Sequence, residues 1–209
     1  DMPQQLYEGK ISKLREKTQG QLVIKEYPTA SAHSGHFKSL MNELALKKSF
    51  RPDVIFIDYL NICASSRFKG GNISSYFYVK AIAEELRGLA VEFNVPIFSA
   101  TQTTRTGYVS TDIGLEDTSE SFGLPATADF MFALISNEEL EALGQMKVKQ
   151  LKNRYNDPSI NRAFIVGVDR SKMRLYDVQQ KAQEIVDANQ VDEKEDAYNK
   201  FSDFKLWNT

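Results

Sequence analysis

Two short apolar runs organise the middle of the chain. Val54-Ile55-Phe56-Ile57 follows Pro52 and stops at Asp58, and Val95-Pro96-Ile97-Phe98 runs through Ser99-Ala100-Thr101 to Gln102. Continuous apolar runs of this length predict strands buried on both faces, as in a parallel sheet, here over 53–58 and 95–101. Between them Val79, Ile82, Ala83, Leu86, Leu89, Ala90 and Phe93 recur at three- and four-residue steps, which predicts a helix over 75–93 with one apolar face. Strand, crossover helix, strand is the right-handed βαβ unit. It brings Asp58 and Gln102 to the same edge of a sheet.

The flanking pattern predicts further elements. Residues 3–18 read as a helix, and Gln21-Leu22-Val23-Ile24-Lys25-Glu26-Tyr27 as a strand ended by Pro28. Ser34 is the expected cap of a helix whose apolar face is Phe37, Leu40, Met41 and Leu44. Thr103 to Asp117 is a long loop of Thr, Gly, Ser and Asp, a length that points to mobility or function. A short helical piece near 118–127 precedes a strand over 129–135 and a helical turn over 138–143. Strands over 147–154 and 162–168 flank an Asn156-Asp157-Pro158 turn, hence a hairpin. A last strand covers 174–178. The remainder, 179–209, is charged and weakly periodic, and reads as a helix or a disordered tail.

Composition fits one well-cored domain with an appendage: 209 residues, 42% hydrophobic and 26% charged. No apolar stretch approaches the roughly 18 residues needed to cross a membrane, and the polar amino end has no secretory core. Cys63 is the single cysteine, which excludes an intrachain disulfide framework and suggests a reducing compartment. His33 and His36 lack the further Cys or His that a zinc site needs and are expected to face solvent. Charge is uneven. Gln145 to Tyr176 carries eight Lys and Arg against two Asp, whereas Asp177 to Thr209 carries eight Asp and Glu against four Lys. The basic block suits phosphate, on nucleotide or nucleic acid, or is the solvated face of a hairpin.

Three features carry candidate chemistry. Asp58, at the carboxyl end of a predicted parallel strand, stands where open α/β sheets bind ligands. It has the position of a Walker-B aspartate that helps hold Mg²⁺ on nucleotide phosphates, or it caps the next loop. Gln102 is placed to orient an attacking water or sense a γ-phosphate, or it is a surface residue at a strand end. Lys152 and Arg154 are two apart on a strand, so they are expected on one face, where paired cations suit a triphosphate or plain solvent.

In that order, Asp58, Gln102, the segment Ser119-Glu120-Ser121-Phe122-Gly123-Leu124-Pro125-Ala126-Thr127-Ala128-Asp129 and Lys152-Asn153-Arg154 resemble the RecA-like motor domain of DnaB-type replicative helicases. The segments YVKAIAEELRGLAVE and GLPATADF resemble the replicative helicases of large tailed phages that work with a separate primase. The resemblance spans about 1–178. It implies an α/β fold: a mostly parallel RecA-like sheet, helices on both faces and a β-hairpin extension. It implies a ring-shaped homo-hexamer that uses ATP and Mg²⁺ to translocate 5′–3′ on single-stranded DNA and unwind duplex at the fork. Primase, a helicase loader and the cytoplasm of a bacterial host follow as its setting. Asp58 would hold Mg²⁺, Gln102 would sense the γ-phosphate, and Lys152 and Arg154 would be the finger pair reaching the neighbouring subunit's ATP. Arg105, Ser119, Glu120, Ser121 and Gly123 would face DNA in the central channel.

The sequence departs from that pattern in two ways. Ser119 stands where many relatives carry Arg, so phosphate would be held there by hydroxyl or backbone groups and by Arg105. No G-x-x-x-x-G-K-[ST] occurs, and Gly70-Gly71 lacks the Lys and Ser/Thr of a phosphate-cradling loop. In the family that loop and the water-activating Glu lie upstream, so 1–178 is expected to be the carboxyl-terminal part of a motor domain and inactive alone. Without the P-loop strand, the sheet is expected to show unpaired edges and exposed apolar surface. Two other readings share the sheet: a RecA-type recombinase or regulatory ATPase, and a non-enzymatic DNA-binding or assembly module.

Overall fold

The amphipathic helix between the two apolar runs is the centre of the fold. In a computed structural model, which describes residues 2–68, 73–103, 114–115, 123–157 and 160–178, this helix, α3, spans Ser75–Phe93. Helices α1 (Gln4–Lys17) and α2 (Ser34–Lys48) precede it. Val79, Ile82, Ala83 and Leu86 of α3 pack with Leu60, Cys63 and Leu124, and Phe37 of α2, Ile57 and Tyr78 close the cluster. Ile82 is the most deeply buried side chain among the described residues, at 1% exposure. Asn94, in the left-handed conformation, ends α3 and turns the chain directly into the next strand.

Strands β1 (Ile55–Ile57) and β2 (Ile97–Ser99) flank α3 in sequence and pair in parallel, with Ile55 opposite Ile97 and Phe56 opposite Phe98. Ile57 meets the core, but the other face of the pair is bare. Phe56 is 73% exposed and its ring stacks on Phe98 at 5.3 Å. The expectation of burial on both faces therefore fails here: among the described residues only one side of the pair is covered. Bare apolar surface on this sheet was the other expectation, and that one is met.

After the short helix α4 (Gly123–Thr127), strands β3 (Phe130–Ile135), β4 (Gln145–Asn153), β5 (Ala163–Asp169) and β6 (Arg174–Asp177) form an antiparallel sheet in sequence order. Helix α5 (Glu138–Ala142) links β3 to β4. The parallel pair β1–β2 and this antiparallel sheet are separate, with β2 not paired to β3, so among the described residues the parallel pairing is confined to β1–β2. Ala133, Ile135 and Leu151 pack together on one face, while Phe130, Phe132 and Leu134 leave the other exposed. The register of β3 on β4 shifts between Met131 and Phe132, which pair with Lys152 and Gln150 and leave Leu151 as a bulge.

Two local expectations are corrected. Residues 21–27 form no strand. Leu22 and Ile24 are each 84% exposed, and a strand needs a neighbour's backbone groups, which no described segment offers it. Helix α2 is capped by His33, not Ser34: His33 Nδ1 accepts from the Gly35 N–H at 3.0 Å, and His36 Nδ1 accepts from the His33 N–H at 3.2 Å. Ser34 is spent on a longer-range bond described below. No helix among the described residues is long and apolar enough to cross a membrane. The tail over 179–209 lies outside the described residues.

Candidate functional site

The carboxyl ends of β1 and β2 hold the first half of the site. Parallel pairing in register fixes both ends, and three bonds extend the fit past the strands. Ser99 Oγ donates to the Ile57 carbonyl at 2.8 Å, the Leu60 N–H to the Ala100 carbonyl at 3.2 Å, and Gln102 Nε2 to Tyr59 Oη at 3.2 Å. Asp58 and Gln102 therefore lie on one edge, as the βαβ reading requires. Asp58 is exposed and makes no ion pair with a described residue. The buried Thr101 hydroxyl beside Gln102 has no partner among the described residues. A single open carboxylate on such an edge fits Mg²⁺, which keeps several waters and uses one or two carboxylates plus phosphate oxygens. Among the described residues no cluster of three or more His, Cys, Asp or Glu makes a self-sufficient metal cage.

The segment after Asp58 is clamped from behind by Glu85, which sequence reasoning missed. Its carboxylate accepts from Ser65 Oγ at 2.6 Å, Ser66 Oγ at 2.7 Å, the Ser66 N–H at 2.9 Å, Ser34 Oγ at 2.8 Å and the Arg67 N–H at 3.3 Å. Burial opposes the charge, but the serine hydroxyls and the Ser66 N–H outweigh it and lower the pKa to about 2. Hydroxyl and amide donors, not a cation, stabilise the charge of this buried group. Glu85 lies three residues after Ile82 and four before Leu89. An acid flanking the apolar stripe of a helix is the signal that points to it.

The second half of the site lies at the end of β4. Arg154 Nη1 is 2.8 Å from Asp129 Oδ1, and the Arg154 N–H donates to the Asp129 carbonyl at 3.0 Å. Arg87 of α3 reaches the same Oδ1 at 2.7 Å and the Thr127 carbonyl at 2.7 Å. Lys152 Nζ donates to the Pro125 carbonyl. Burial, and then the neighbouring Arg154 charge, lower the Lys152 pKa. Partial burial opposes the charge on Asp129, but hydrogen bonding and charge pairing with Arg87, joined by Arg154, outweigh it and hold the carboxyl below the usual range. Lys152 and Arg154 thus come together as expected, but on groups of their own chain. Arg87 and Asp129 were not foreseen, since nothing periodic links positions so far apart.

Gly123 is buried at the first residue of α4, where its carbonyl accepts from Thr127 Oγ1 at 2.9 Å. Arg105, Ser119, Glu120 and Ser121 lie outside the described residues.

Comparison with known proteins settles the relationship. The chain is 42% identical over 200 residues to the DnaB-like replicative helicase of Enterobacteria phage T4. It is homologous to a DnaB-type helicase. The match takes in 93% of this chain and 42% of the relative, so the chain spans less than half of that protein's length. Among solved structures, an ATPase domain superposes with a TM-score of 0.60 at 18% identity, over 71% of this chain and 52% of that one. A DnaB-like replicative helicase studied for its interactions with primase superposes with a TM-score of 0.61 at 17% identity, over 73% and 37%. These likenesses show an α/β fold shared with those two structures. No protein-family profile matches the chain.

Proposed function

We propose that this segment forms the carboxyl-terminal part of the motor domain of a ring-shaped, ATP-dependent replicative DNA helicase. The observation that carries the proposal is the shared edge of β1 and β2. It joins Asp58, exposed and without an ion pair among the described residues, to Gln102 in a chain homologous to a DnaB-like helicase. Bound ATP supplies the γ-phosphoryl whose loss drives movement, and Mg²⁺ offsets its charge. Asp58 holds that metal, directly or through water. Gln102 exchanges the Tyr59 hydroxyl for the γ-phosphate or its attacking water, and so reports hydrolysis to the Leu60–Cys63 segment. Lys152 and Arg154 turn to the nucleotide of the neighbouring subunit and offset charge as the phosphoryl leaves.

Single-stranded DNA runs through the centre of a homo-hexamer, with Arg105, Ser119, Glu120 and Ser121 as its facing residues; Gly123, expected among them, is buried at the start of α4 and supports that segment instead. Translocation is 5′–3′. Primase and a loader are its partners, and the bacterial host's cytoplasm its location. The 209-residue chain carries no phosphate-cradling loop motif, so ATP turnover by it alone is negligible.

The test is DNA-stimulated ATPase and unwinding by a full-length ring-forming protein that carries this segment. Activity is expected with the native residues and its loss with Asp58→Ala. Undiminished turnover in Asp58→Ala rings would overturn the assignment of this edge as the nucleotide site.

A further inference from the structure

Arg154 does not stand free at the end of β4. Among the described residues its guanidinium has one partner, Asp129 Oδ1, at 2.8 Å. Arg87 takes that same oxygen at 2.7 Å and is anchored a second time on the Thr127 carbonyl. The two arginines are therefore unequal. Arg87 rises from α3, the best-packed element, and its side chain is 38% exposed. Arg154 lies just past the end of a strand, is held once, and is 47% exposed. Lys152, bonded to the Pro125 carbonyl, feels the same charges and adds a third cation to the neighbourhood of this one carboxylate. The cluster carries surplus positive charge, and like-charge repulsion favours release of its least anchored member. Exposed ion pairs of this kind are weak enough to exchange. When Arg154 leaves, Arg87 keeps Asp129 paired, so no carboxylate is stranded without a partner.

We propose that Asp129 is a latch that parks Arg154 on its own subunit, and that Arg87 is the counter-charge that lets the latch open. Asp129 is thus a positioning residue, acting through Arg154 and not on substrate. This rests on the reading of Arg154 as a residue that works on a neighbour's nucleotide. The latch keeps the cation away from that nucleotide until ring assembly or DNA binding brings a competing polyphosphate within reach. Basal turnover is thereby held down and the ratio of DNA-stimulated to basal turnover is raised.

The experiment measures ATP turnover by the full-length ring with and without a single-stranded oligothymidylate. Asp129→Asn keeps the shape and removes the charge. Basal turnover is expected to rise roughly two- to fivefold, the range of an exposed ion pair, with the stimulated rate little changed. Arg87→Gln leaves Arg154 as the latch's only guanidinium. The stimulated rate is expected to fall by a similar factor, about two- to fivefold. Opposite signs from two neighbours are not what general loss of stability produces. In an Arg154→Ala background, Asp129→Asn should change nothing. An unchanged ratio in Asp129→Asn, or an equal rise with Ala at 154, overturns the latch. Should Asp129→Asn fail to fold, Arg87→Gln decides alone, and an unchanged stimulated rate overturns the latch. Full activity in Arg154→Ala sinks the underlying reading of Arg154 instead, and that rate is read before any latch variant is made.

Discussion

The edge of β1–β2 and the end of β4 carry the two halves of the candidate site, and they are built in opposite ways. At the first, position comes from backbone pairing, and the chemical group is left open: Asp58 is exposed and without an ion pair among described residues. At the second, the cations are spent on neighbours: Arg154 on Asp129, and Lys152 on the Pro125 carbonyl. A group that meets its ligand in its own subunit can wait open at a strand end. If Arg154 acts across a boundary, as proposed, Asp129 gives it a resting place, because a loose guanidinium in a basic segment would otherwise seek the nearest anion. Helix α3 serves both halves, with Glu85 toward the first and Arg87 toward the second.

The strongest way to break this contrast is at Arg154. In assembled rings, Arg154→Ala should cut DNA-stimulated turnover by about a thousandfold or more, with nucleotide binding to single subunits intact. Lys152→Ala should act in the same direction but less, since a point charge makes no bidentate fork. Turnover and equilibrium nucleotide binding, measured side by side, check both.

The shared scaffold gives the next largest effect. Ile82→Ala removes the most deeply buried side chain of the core and should cost about 2–5 kcal/mol of stability, read by denaturant unfolding. Both halves should be weakened together. Damage to one alone would mean that α3 is not their common support.

Glu85 sharpens the contrast by touching one half. Folding holds its pKa at about 2, below the ordinary glutamate value of about 4.3. The sign follows: the stabilisation is fully present above about pH 4 and is lost as pH falls through about 2. A difference of this size is worth about 3 kcal/mol at neutral pH. Acid unfolding of the native chain and of Glu85→Gln should therefore converge as pH drops from about 4 toward 2. Curves that stay parallel through that range would show that the serine clamp does not stabilise the fold.

Much of the first half was legible in the sequence, and the reason is local. The apolar spacing of Val79, Ile82, Leu86 and Leu89 predicts helix over 75–93, the span observed. A βαβ order then places Asp58 beside Gln102 without further knowledge. The hairpin was equally readable, from two strand-like segments either side of an Asn156-Asp157-Pro158 turn. What was lost depends on partners distant in sequence. Leu22-Val23-Ile24 reads like a strand, yet pattern cannot supply the strand it would pair with. His33 was passed over as a cap because hydroxyl and carboxylate side chains lead that role. The Arg87–Asp129–Arg154 cluster joins three elements and has no period at all.

Mixed rings test the central claim most directly. On the proposed reading, Arg154→Ala subunits would lack the trans-acting cation, and Asp58→Ala subunits the metal-holding carboxylate. Combined in one ring, they create interfaces that pair an intact Asp58 with a neighbour's intact Arg154. DNA-stimulated ATPase should reappear on mixing, although each variant alone is inactive. If mixed rings form, as native mass spectrometry of size-tagged subunits would establish, and no activity returns, then Arg154 does not work across the boundary and the contrast between the two halves has another origin.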